Sequence, residues 1–144
     1  MSRLAESMVS LRIAGDSLLP AEVTALLGVE PSLSYRKGEV LSSRSGKEIL
    51  RRTGMWSLQA EVCKPENVDA QVAELLSKLP GEPAVWSSLS ARFDIDLFCG
   101  LFMNESNEGL SLSVVTLRAL AERGIEIGLD IYGPTEEGAH GAEA

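Results

Sequence analysis

The stretch Asp94-Ile95-Asp96-Leu97-Phe98-Cys99-Gly100-Leu101-Phe102 decides the fold class. With Phe93 before it, Phe93, Ile95, Leu97 and Cys99 alternate with Asp94, Asp96, Phe98, Gly100 and Phe102. Period-two alternation sends one set of side chains to each face of a strand. A strand buried on both faces, as in a doubly wound parallel sheet, is apolar throughout instead. The stretch therefore predicts a mainly antiparallel sheet whose helices lie on one face, an α+β fold.

Working outward, two helices precede this strand. Val68, Val72, Leu75, Leu76 and Leu79 recur at helical spacing until Leu79-Pro80-Gly81, and Pro83 to Ala91 carries Val85, Trp86 and Leu89. Before them, Met55 to Val62 alternates with Trp56, Leu58, Ala60 and Val62 on one face, and Val9, Leu11 and Ile13 alternate with Ser10, Arg12 and Ala14. Pro20 suits a first helical turn, Val23, Leu26 and Leu27 supply its apolar stripe, and Gly28 ends it. From Ser32 to Thr53 the periodicity disappears, which predicts a long loop or an irregular hairpin. Downstream, Asn104 to Gly109 is a polar turn and Leu110 to Leu112 a candidate short strand. Ser113 caps a helix with Leu117 and Leu120 inward, and Gly124 stops it. The last strand, Ile125 to Tyr132, places Ile125, Ile127, Leu129 and Ile131 under the helices and Glu126, Gly128, Asp130 and Tyr132 on the other face.

Two βαβ-like halves, Val9 to Val62 and Phe93 to Tyr132, predict a ferredoxin-like split βαβ layout, interrupted by a helical insert at about 65–91. The expected organisation is a flexible N-terminus over 1–8, one domain over 9–132 and a disordered acidic tail over 133–144.

The 144 residues suit one domain, and the 44% hydrophobic content suits a packed core rather than disorder. A net charge of −8 opposes binding to nucleic acid or to an anionic membrane surface. Segment 36–52 runs against that balance. It holds Arg36, Lys37, Arg44, Lys47, Arg51 and Arg52 against Glu39 and Glu48, which is +4 and leaves −12 elsewhere. Without a signal peptide or an apolar run of spanning length, the expected location is cytoplasmic, and Cys63 and Cys99 read as reduced thiols.

The only histidine, His140, lies in the tail, which argues against a Ser-His-Asp triad, a Cys-His dyad and multi-histidine zinc. Gly46-Lys47 fails as a phosphate loop because Glu48 stands where Ser or Thr is needed. No catalytic residue, metal ligand or cofactor is assigned. Two candidate ligand sites remain. In a ferredoxin-like order the first strand lies between the third and fourth, so Arg12 meets Asp94, Asp96 and Asp130, with Tyr132 beside them. That arrangement is either a ligand platform or a solvated face on which Arg12 neutralises acids. Phe98 and Phe102 on it call for a cover: the insert, a second subunit or a ligand. The other candidate is an anion site built from Arg36, Lys37, Gly38, Arg51, Arg52 and Thr53.

Several stretches resemble a bacterial family known as a domain of unknown function, DUF4279. They are Ser10-Leu11-Arg12-Ile13-Ala14-Gly15, Leu26-Leu27-Gly28 with Glu30-Pro31, Arg36-Lys37-Gly38, Arg52-Thr53-Gly54-Met55-Trp56-Ser57-Leu58, Asp94 to Phe102, and Ile127-Gly128-Leu129-Asp130-Ile131-Tyr132. The resemblance spans Ser10 to Tyr132 and implies no activity, substrate or catalytic residue. It does imply that the Arg-Lys-Gly, Arg-Thr-Gly-x-Trp and Asp-x-Asp stretches form one signature. The expected function is a non-catalytic binding or interaction module for a small anion or a protein partner, immunity-like in its size and acidity. The alternatives are a structural homo-oligomer, such as a homodimer, joined through the polar sheet face, or a carboxylate-dependent enzyme.

Overall fold

A computed structural model describes residues 3–134. Among the described residues the chain forms β1 (Glu6–Gly15), α1 (Pro20–Leu27), β2 (Leu33–Tyr35), β3 (Val40–Ser42), β4 (Glu48–Leu50), β5 (Gly54–Gln59), α2 (Val68–Ser77), α3 (Pro83–Arg92), β6 (Asp94–Phe102), α4 (Val114–Glu122) and β7 (Glu126–Tyr132). Leu110 to Leu112 is coil rather than strand.

The helices start and stop on local chemistry. Pro20 and Pro83 occupy first-turn positions, where a missing N–H costs nothing. Asn67 and Ser113 accept hydrogen bonds from the backbone N–H groups of Ala70 and Thr116. Gly28 closes α1 at φ 74°, a left-handed conformation that glycine adopts without strain.

The main sheet has the order β2-β5-β1-β6-β7, and β3 and β4 form a separate two-stranded hairpin. All neighbours in the main sheet are antiparallel except β6 and β7. The α+β class and the mostly antiparallel sheet are as the alternation predicts. The ferredoxin-like order is not: β1 lies between β5 and β6, with β7 beyond β6 at the edge. The reason is β2. Both β1 and β2 run antiparallel to β5, so the first crossover joins β1 to β2 through α1, and β5 fills the gap between them. A strand of three residues carries no readable period, so alternation alone closes the crossover on β5 instead.

Helix α1 packs on β5, α2 on β1, α3 on β6 and α4 on β7. The insert at 65–91 is thus part of the helical layer and leaves the polar sheet face uncovered. One core joins Val9, Leu11, Ile13, Trp56, Leu58, Leu97 and Cys99 to Val23, Val72, Leu75, Leu89 and Leu120 from the helices. Trp56 is fully buried, and its Nε1 donates to Thr24 Oγ1 at 3.0 Å; Trp86 Nε1 donates to the Pro80 carbonyl at 2.8 Å. Buried Ser7 and Gln71 share a network in which Ser7 Oγ donates to Gln71 Oε1 and Gln71 Nε2 donates to the carbonyls of Ser7 and Glu61.

Several details differ from the sequence reading, among them exposed Val62, beyond the end of β5, and exposed Leu26 on α1. Leu4 is buried, Ala5 N donates to the Phe102 carbonyl, and β1 starts at Glu6, so the ordered domain begins before Val9. Leu117 is exposed, and Thr116 takes the inward position with Leu120, because the Asp69 carboxylate of α2 accepts the Thr116 hydroxyl proton at 2.5 Å. Leu129 and Ile131 are 46% and 53% exposed. A nine-residue helix such as α4 spans only ~13 Å. The seven residues of β7 run ~23 Å, so Ile131, ~17 Å along it, outreaches the helix above it, while Leu129 is exposed on the edge strand itself. The expected acidic tail falls outside the described residues from 135 onward.

Candidate functional site

The open sheet face is a grid fixed by register. One row crosses Leu33, Ser57, Arg12, Asp96 and Glu126, and the row beside it crosses Tyr35, Met55, Ala14 and Asp94. Further along come Gln59, Ser10, Phe98 and Gly128, then Met8, Gly100 and Asp130, then Glu6, Phe102 and Tyr132.

Arg12 and Asp96 face each other directly across β1 and β6. The guanidinium donates twice, Nε to Oδ1 at 2.9 Å and Nη2 to Oδ2 at 2.7 Å. This two-pronged bond is the first cause of a further rise in the Arg12 pKa. The guanidinium also lies over the Phe98 ring at 4.6 Å, the distance of a cation–π contact. Phe102 stacks on Tyr132 at 5.0 Å with planes 9° apart. Both phenylalanines that called for a cover are therefore capped by side chains of their own face.

Asp94 and Asp96 line a shallow cleft of about 650 Å³ at one end of this face, together with Arg12, Met55, Phe93 and Glu126. Sequence reasoning placed Glu126 on the right face but not in the site. Its signal is the parallel register that sets it beside Asp96. Asp130 does not join them. It sits opposite Gly100, four residues along β6 from Asp96, which is ~13 Å, and it accepts the Tyr132 hydroxyl at 2.6 Å. That hydrogen bond holds the Tyr132 phenol above its ordinary pKa. The predicted meeting of Arg12 with Asp130 fails because β7 lies beyond β6 rather than beside β1.

The basic segment is a protruding hairpin, not a cradle. Gly38 N donates to the Arg51 carbonyl and Arg51 N to the Glu39 carbonyl, extending the β3–β4 ladder towards its base. The turn closes with Gly46 N on the Ser43 carbonyl and Ser43 N on the Lys47 carbonyl. The cations are distributed along it. Lys37 binds Asp16 at 3.1 Å, and Lys37 and Thr53 together hold that exposed carboxyl below the usual range. Arg51 lies over Tyr35 at 4.1 Å. Arg36, Arg44, Lys47 and Arg52 make no ion pair among the described residues. Val40, Leu41, Ile49 and Leu50 are all exposed on the same hairpin, aliphatic side chains that an anion site leaves without a role.

Among the described residues no three or more His, Cys, Asp or Glu side chains are placed to hold a metal ion, and no helix is long and apolar enough to cross a membrane.

The architecture defines an α+β domain with helices on one sheet face, a polar grid on the other and a basic, apolar hairpin at one edge. Within that class, the chain belongs to the DUF4279 family, a domain of unknown function whose model matches residues 5–134. No curated protein and no solved structure matches it.

Proposed function

We propose that the chain is a protein-interaction module that docks an acidic partner on the β3–β4 hairpin. The observation that carries this reading is the coexistence of four exposed aliphatics with Arg44 and Lys47, which form no ion pair among the described residues, on one protruding element. Val40, Leu41, Ile49 and Leu50 are 56%, 47%, 41% and 59% exposed. The register opposes Val40 to Leu50 and Leu41 to Ile49, so each face of the ribbon carries one exposed aliphatic pair. A two-stranded ribbon is marginal in water on its own, and aliphatics exposed on it favour a contact role. The +4 segment on a chain of net charge −8 selects an acidic partner and steers it to the hairpin.

The small-anion reading draws less support. Arg12 is spent on Asp96, Lys37 on Asp16, and Arg51 on the Tyr35 ring. Gly38 and Gly46, at φ 90° and 80°, serve the turns of the hairpin rather than a phosphate cradle.

Selection of displayed peptides on the immobilised chain tests the proposal. Acidic peptides with aliphatic anchors are expected to enrich. Their binding should weaken with salt, and both Leu41→Ser/Ile49→Ser and Arg44→Glu/Lys47→Glu should abolish it. Enrichment of neutral or basic peptides, or binding indifferent to both double variants, would sink the reading.

A further inference from the structure

The two edges of the main sheet are built differently. β2 is three residues long and runs into the hairpin, whereas β7 is a seven-residue edge strand in unbroken register with β6. Edge strands are ordinarily blunted by lysine, proline, a bulge or a covering segment. Glu126-Ile127-Gly128-Leu129-Asp130-Ile131-Tyr132 contains no lysine, arginine or proline. Among the described residues nothing pairs with its outer side. Leu129 and Ile131 are exposed there, and α4, which packs on β7, leaves Val114 and Val115 71% and 78% exposed.

The backbone fixes which residues look outward. The Tyr132 carbonyl accepts from Met103 N at 2.9 Å, so Tyr132 directs its peptide groups towards β6. Peptide groups alternate sides along a strand, so Gly128 and Asp130 face β6 as well, and Ile127, Leu129 and Ile131 present their N–H and C=O groups outward.

We infer that two copies of this chain pair antiparallel through β7, about a two-fold axis at Leu129. This register sets Leu129 against the partner's Leu129 and Ile127 against the partner's Ile131. Those are the outward-facing residues, so each of these pairs exchanges both backbone hydrogen bonds. On the helix-covered face it gives only aliphatic pairs. On the open face it sets Asp130 against the partner's Gly128 and Glu126 against the partner's Tyr132. Shifting the axis to Gly128 opposes Asp130 to the partner's Glu126, and shifting it to Asp130 opposes that carboxylate to its own copy. Like charges directly opposite destabilise a strand pair, and an axis at Ile127 or Ile131 overlaps only three residues of β7 instead of seven, so charge and overlap together select the Leu129-centred register. A two-fold interface of this kind closes on itself and does not propagate. The product is one continuous sheet with a basic hairpin at each far end. The dimer does not depend on the hairpin docking reading, because the two use opposite edges.

Sedimentation velocity and oxidative cross-linking, both in a Cys63→Ser background, test the inference. The parent chain is expected to sediment at twice its own mass, and Leu129→Lys as a folded monomer with unchanged circular dichroism. Opposed Cα atoms at about 5.5 Å lie within disulfide reach. Leu129→Cys should therefore cross-link to itself on mild oxidation. Asp130→Cys should not do so alone, but should when mixed with Gly128→Cys. A monomeric parent, a dimer that persists in Leu129→Lys, or self-cross-linking of Asp130→Cys would overturn the inference. A monomeric parent that dimerises once residues 135–144 are removed would also overturn it, and would assign the edge to the chain's own tail.

Discussion

Replacing Arg12 with alanine removes two hydrogen bonds to Asp96 and the guanidinium from the Phe98 ring. The side chains of Arg12 and Asp96 are 37% and 28% exposed, which decides the magnitude. Water still reaches both, so the pair belongs with cross-strand surface pairs worth roughly 0.2–1 kcal/mol, at the upper end for its two-pronged geometry. The cation–π contact adds about 0.5–1 kcal/mol. Arg12→Ala should therefore cost about 1–2 kcal/mol in urea unfolding, with an unchanged m-value. A buried pair broken in half would cost about 3–5 kcal/mol. Because Asp96 stays hydrated, Asp96→Asn made on top of Arg12→Ala should add little further loss. The two changes should couple by about 1 kcal/mol, because the residues share one contact. Asp130→Asn should add independently, since Asp130 lies elsewhere on the face. A loss of 3 kcal/mol or more would mean that the face is covered in solution. Strict additivity of Arg12 with Asp96 would refute the register that opposes them.

Two further outcomes follow from close packing. A Cβ at Gly54 would sit 2.8 Å from the Gly15 carbonyl oxygen, so Gly54→Ala should cost about 1–3 kcal/mol by overpacking, measured by denaturant unfolding. Gly81→Ala, with nothing within 4 Å, should stay within about 0.5 kcal/mol of the parent. Cys99 is fully buried, and burial pushes its thiol up from 9.0 to about 11. A group whose pKa is raised on folding contributes stability fully present below the unfolded value and lost as pH climbs to the folded one. Between about pH 9 and 11 the parent should lose up to about 3 kcal/mol that a Cys99→Ala variant does not. An identical alkaline limb in both proteins, or fast native labelling of Cys99, would contradict its inward placement.

The sequence discloses elements in proportion to their length and regularity. β6 and the helices α2 and α3 repeat their period several times, and their bounds are readable to a residue or two. β2 is too short to show a period, yet it decides the topology, because it takes the crossover partner's place and moves β5 next to β1. Phase along a strand is local information, which is why Arg12, Asp96 and Phe98 were readable as sharing one face. Position across a sheet is not local. Asp130 has the right phase, but it lands one strand too far and four residues along from Asp96, while Glu126 takes the place beside Asp96.

The same distinction bears on the stretches that carry the family resemblance. Thr53 helps Lys37 hold the Asp16 carboxyl below its usual range, Gly54 permits the approach of Gly15, and Trp56 anchors α1 through Thr24. Asp96 pairs with Arg12 over Phe98, and Cys99 fills the core. Each of those residues has a task in holding the sheet together. The surfaces without an internal task lie at the two edges. One is the cationic, aliphatic hairpin beyond β2; the other is the outer side of β7, which pairs with no other strand among the described residues. Were β7 to close by pairing with its own copy, the hairpins would become paired, outward-facing contacts, and one dimer would engage two partner sites at once. Linked sites raise avidity only where the partner's spacing matches the span of the dimer. A hairpin-binding partner that is itself dimeric should therefore bind the parent chain more tightly than it binds Leu129→Lys, while an isolated peptide should bind both equally.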